Sequence, residues 1–148
     1  MAFHFTLEAI LRLRRSLEDS ELLRLQALLT RRAALLHQLE SLQQDNLNLQ
    51  QRTGLAMLQR PTPAIEIHVA MDRVGVLRHQ QQLVRTELGH LEGDIAEQRS
   101  RVEQQRRNRE VLEALRDAQW RDYRLAQQRR EQAQLDELPL LRRRTISP

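Results

Sequence analysis

Proline placement constrains this chain more than any other feature. Pro61 and Pro63 stand together near the middle, and Pro139 and Pro148 lie within the last ten residues, so two long proline-free blocks flank a single central break. An interior proline lacks the amide donor of its helical turn and clashes with the carbonyl four residues back, which ends or kinks a helix. Leu, Arg, Gln, Glu and Ala dominate, there are 4 glycines, and aromatics make up only 3% of the residues. That composition favours long helices with narrow apolar seams and argues against the mixed core of an α/β enzyme.

The first helix is predicted over about residues 6–58, opening at Thr6 as N-cap, with Phe5 and Ile10 at the spacing of a hydrophobic staple. A turn over about 59–63 follows, and the second helix is predicted over about 64–138. Its start carries a capping hydroxyl at Thr62, Pro63 at the first helical position and Glu66 in the first turn. Its end is predicted at Pro139, leaving about residues 139–148 as a flexible tail. The whole chain reads as one domain.

In the first block Leu7, Leu11, Leu25, Leu28, Leu35, Leu39, Leu42 and Leu49 follow spacings of three and four, with Arg14, Glu18, Glu21, Arg32 and Asn46 as polar interruptions. The second block carries Ile67, Met71, Val74, Leu88, Leu91, Ile95, Val102, Leu112 and Leu115, with Gln81, Gln98, Gln105 and Arg109 also in the seam. One narrow stripe cannot be stable alone, and a short connection returns the second helix against the first. The expected fold is all-α, a long antiparallel two-helix coiled-coil hairpin that is a monomer when free, with arms of roughly 80 and 110 Å.

With the turn centred on Thr62, residue i lies opposite roughly 124 − i. Glu18, Asp19 and Glu21 then face the basic cluster of Arg101, Arg106, Arg107 and Arg109, and Phe3 and Phe5 fall beside Trp120 and Tyr123. Past Arg121 the second helix runs out of partner, so Leu125, Ala126, Ala133, Leu135 and Leu138 are expected on an exposed projection. Contiguous exposed apolar surface marks an interface. Phe3, Phe5, Trp120, Tyr123, Leu125, Leu135 and Leu138 are therefore the candidate partner-binding residues.

Catalytic chemistry finds no support in the motifs. His68, His79 and His90 are eleven residues apart, about 16 Å along a helix, too far to share a metal. No phosphate loop, dinucleotide fingerprint or nucleophile elbow occurs, and there is no lysine. Carboxylate pairs such as Glu92 with Asp94 or Glu110 with Glu113 lie on a narrow helix surface without a cleft. No catalytic residue, cofactor, metal or small-molecule substrate is expected. All 24 cationic residues are arginine against 20 acids, giving a net charge of only +4 spread evenly over both blocks, so nucleic acid is not an expected partner. Arg142–Arg144 is too short to tell a phosphate contact from a solvated end. With no cysteine, no secretory signal and no apolar run long enough to cross a bilayer, the chain reads as a soluble cytoplasmic protein.

The opening Phe3-x-Phe5-x-Leu7-Glu8-x-Ile10-Leu11-x-Leu13-Arg14 resembles the start of the flagellar export protein FliJ family. Arg129-Arg130-Glu131-Gln132-Ala133-Gln134-Leu135-Asp136-Glu137 is similar to that family's basic and polar closing helix with its hydrophobic-D-E element, and the length of 148 residues fits. The sequence departs from the family in having no lysine and in placing Pro139 directly after Leu138. The resemblance implies a non-enzymatic stalk of the flagellar type III export apparatus, cytoplasmic and peripherally associated with the inner membrane at the flagellar base. It further implies that the end carrying both termini binds the hexameric export ATPase, and that the protein contacts the membrane-embedded export gate and escorts export chaperones. The equivalent stalk of a virulence injectisome has the same expected shape. A generic coiled-coil scaffold, or a prefoldin-like chaperone with apolar free tips and oligomer-forming β segments, is the rival from another class, and the sequence presents neither the tips nor the strands.

Overall fold

A computed structural model describes residues 2–145 as two helices, α1 (Glu8–Gln59) and α2 (Ala64–Thr145). They pack against each other as an all-α helical hairpin with no strand among the described residues. The four-residue connection is closed by Thr62, whose hydroxyl donates to the carbonyls of Ala56 and Arg60, both at 3.3 Å. Thr62 thus covers the last carbonyls of α1, whereas the sequence reading had its oxygen capping α2. The first amides of α2 are served instead by the Pro63 carbonyl, which accepts from Glu66 N at 3.0 Å and Ile67 N at 3.4 Å.

Two further boundaries differ from expectation. Thr6 and Leu7 form a turn before α1, which opens at Glu8, and Phe5 is buried at 3% exposure while Ile10 is 44% exposed. At the other end α2 passes through Pro139 and continues to Thr145, where a tail was expected. Proline removes one helical hydrogen bond, and Arg142, Arg143 and Arg144 in the last turn favour continuation by complementing the carbonyl end of the helix dipole. Residues 146–148 of the expected tail lie outside the described residues.

The chain divides into two units, Ser20–Val102 and Met1–Asp19 with Glu103–Pro148. In the first, Leu35, Val84, Leu91 and Ile95 form the buried core, flanked by Leu25, Leu28, Leu29, Leu39, Leu42 and Leu88. Val84 was not among the expected seam positions, and Met71, which was, is 67% exposed. Two seam glutamines are buried because each finds backbone. Gln81 donates to the Leu42 carbonyl at 3.3 Å, and Gln98 donates to the Glu21 carbonyl at 3.0 Å and to its carboxylate. Arg31 pairs with Glu87 at 2.5 Å and Arg32 with Glu92 at 2.6 Å, the latter lying on the 124 − i register.

The closed end of this unit corrects one expectation. Leu55, Leu58, Ile65 and Val69 are 56%, 85%, 73% and 61% exposed, so the hairpin does carry an apolar tip, although no strand accompanies it among the described residues. Gly75, Gly89 and Gly93 lie in α2, and a Cβ built on any of them meets nothing within 4 Å. Each helical glycine costs about 1 kcal/mol relative to alanine. Gly75→Ala, Gly89→Ala and Gly93→Ala are each expected to raise the unfolding free energy by that amount in urea titrations, and a loss would reveal a contact that the packing does not contain.

Candidate partner-binding site

All seven candidate residues belong to the second unit, in which residues 2–19 lie along the later part of α2. The root of the site is aromatic. The Phe3 ring meets Trp120 edge-on at 5.1 Å between centroids and Tyr123 at 5.6 Å, while Trp120 stacks on Tyr123 at 5.7 Å. Such pairs contribute about 0.5 to 1.5 kcal/mol each beyond the area they bury. Phe5 is buried, as is Leu11, but it stands outside the three-ring cluster. Gln127 donates to the Tyr123 hydroxyl at 3.0 Å, fixing the ring from the outer side. Phe3, His4, Tyr123, Ala126, Gln127 and Arg130 line a groove of about 440 Å³ here.

Behind the aromatics a charge network joins the two helices. Arg109 bridges Glu18 on α1 and Glu113 on α2, the latter at 2.7 Å, and Arg15 reaches Glu113 at 3.2 Å. Arg116 pairs with Glu8 at 3.7 Å. Burial alone would raise the Glu113 carboxyl, but hydrogen bonds from Arg109 and Arg15 outweigh it and hold the group below the ordinary glutamate range. Hydrogen bonding to Glu18, then to Glu113, raises Arg109. A depressed carboxyl contributes stability that is present above its unfolded value and lost as pH falls through its folded value. This network is therefore expected to weaken only in acid below the usual glutamate range, which thermal unfolding across pH 3–6 will read.

Of the expected acidic-to-basic facing, Glu18 with Arg109 is realised. Arg106 pairs with Glu103 and Glu110 and Arg107 with Glu103, all along α2, and Arg101 pairs with Glu97 on its own helix. Glu21 takes Gln98 instead. Arg15 with Glu113 was missed; the signal was that Arg15 lies four residues after Leu11, at the margin of the seam. A double exchange of Glu18→Arg with Arg109→Glu is expected to preserve the melting temperature better than Arg109→Glu alone, and equal damage would remove this pair from any role in register.

Past Tyr123 the helix is exposed through residue 144, apart from half-buried Gln127. Leu125, Leu135 and Leu138 are 51%, 60% and 55% exposed, and Leu140 and Leu141, which the sequence reading assigned to the tail, are 62% and 58% exposed. Leu135 and Leu138, three positions apart, share a face. Leu125 precedes Leu135 by ten positions and falls about 80° away around the helix. The fold thus brings Phe3, Trp120 and Tyr123 together and sets Leu135 with Leu138, with Leu125 on a separate strip.

Among the described residues no group of three His, Cys, Asp or Glu could hold a metal ion, and no helix is long and apolar enough to cross a membrane. The class that fold and site define is an all-α helical hairpin presenting long helix surfaces. A family model described as Flagellar FliJ protein matches residues 3–144. The chain belongs to the FliJ family and is a flagellar export-associated protein, and the family is a non-catalytic component of the export apparatus. No curated protein and no solved structure gives a match.

Proposed function

We propose that this chain is a stalk of the flagellar type III export apparatus that engages the export ATPase ring through the aromatic root and the projecting part of α2. The carrying observation is the run from residue 124 to 144, exposed nearly throughout, continuous with a three-ring cluster that anchors its base. A helix held at one end and bare beyond it can enter a cavity in a partner without unfolding anything. The exposed apolar side chains at the closed end of the hairpin support a second contact, with the membrane export gate, and the remaining helix surfaces are available to export chaperones. On this reading the protein works in the cytoplasm, peripherally associated with the inner membrane at the flagellar base, and takes no cofactor. A tagged copy expressed in a flagellated host is expected to co-purify with the export ATPase, identified by mass spectrometry. Recovery of injectisome components in its place, or of neither set, would contradict the proposal.

A further inference from the structure

We infer that the last two turns of α2 bind the surface of an anionic lipid bilayer, lying in the headgroup layer. Elsewhere arginine and acid are nearly balanced and frequently paired across the hairpin, but from 138 to 144 the sequence is Leu-Pro-Leu-Leu-Arg-Arg-Arg, with no acid. Among the described residues Arg129, Arg130, Arg143 and Arg144 make no ion pair. Leu135, Leu138 and Leu141 follow one another at three-residue steps and form a single stripe, each more than half exposed. Arg142 falls within that stripe between Leu135 and Leu138, Arg130 borders its Leu141 side, and Arg143 and Arg144 lie farther round on either side, where Asp136 and Glu137 also stand. An apolar stripe that ends in three consecutive arginines fits the plane between acyl chains and phosphates, where the stems bury and the guanidiniums reach outward.

Anionic phosphate is the chemistry this charge complements, and a bilayer is the source that also takes up the leucines. Pro139 sets the depth. It donates no hydrogen to the Leu135 carbonyl, which then requires water, so the segment suits the interface and not the hydrocarbon interior. The contact shares Leu135 and Leu138 with the proposed ATPase surface, and Arg143 and Arg144 lie at the end of the same exposed run.

The test is co-sedimentation of the full chain with vesicles of equal phosphatidylglycerol and phosphatidylcholine, against vesicles of phosphatidylcholine alone. Binding is expected to the anionic vesicles only, and to fall steeply between 50 and 500 mM salt. Arg143→Gln with Arg144→Gln is expected to lower the partition coefficient about 25-fold, roughly fivefold per charge. Leu138→Ser is expected to weaken binding without removing its salt dependence, and circular dichroism confirms that each variant remains helical. Equal binding to neutral vesicles, no binding to either, or an unchanged coefficient in the double variant would overturn the proposal, and because the vesicles carry no ATPase the outcome is read separately from that contact.

Discussion

Leu35→Ala is expected to lower the unfolding free energy by about 2 to 5 kcal/mol, a large effect for a single side chain. Leu35 is 1% exposed and belongs to the cluster with Val84, Leu91 and Ile95, the only four-membered buried apolar group among the described residues. Its removal strips methyl and methylene groups from contact and leaves a void. Two helices can move together more easily than the walls of a globular core, which places the result toward the lower half of that range. Ile95→Ala, equally buried, is expected to match it, whereas Leu58→Ala, at 85% exposure, is expected to stay within about 0.5 kcal/mol of the parent. Urea titration with the slope held as a check measures all three. A Leu58 variant as damaged as the Leu35 variant would mean that the buried cluster is not the centre of stability.

Much of this was legible because helix pairing is periodic. The proline pair located the turn, the three-and-four spacing of Leu28, Leu35, Leu39 and Leu42 located the seam, and the register it implied put Glu8 opposite Arg116 and Arg32 opposite Glu92, as the ion pairs bear out. The meeting of Phe3 with Trp120 and Tyr123 followed from the same arithmetic. What escaped was chemistry with several local solutions. A threonine at a helix junction can accept from the following amides or donate to the preceding carbonyls, and residue order does not choose between them for Thr62. An exposed arginine can turn along its own helix or across, so Arg106 and Arg107 were assigned to α1 and found with Glu103. Pro139 weakens a helix without ending it when good helix formers and arginines follow. The apolar tip was hidden for a different reason: Leu55, Leu58 and Ile65 lie between Leu49 and Ile67, the seam positions nearest the turn, where the helices leave no partner for them.

Removing everything after Tyr123 is expected to abolish stimulation of a cognate export ATPase while leaving the hairpin intact. Among the described residues the deleted run makes no ring-to-ring contact and carries none of the ion pairs joining α1 to α2; Tyr123 loses the Gln127 hydrogen bond, while the remaining helices keep Phe3 with Trp120 and Tyr123, Arg109 with Glu18, and the Leu35 cluster. What is lost is exposed leucine. Burying Leu125, Leu135 and Leu138 against a partner contributes roughly 1.5 to 3 kcal/mol each before the ordering cost of association, enough for micromolar binding. The direct measurement compares ATP hydrolysis by the cognate ATPase with the full chain and with the chain truncated after Tyr123, each checked for helicity by circular dichroism. The account predicts a helical truncated protein that no longer raises the rate; a truncated protein that stays helical and stimulates as well as the full chain would contradict it.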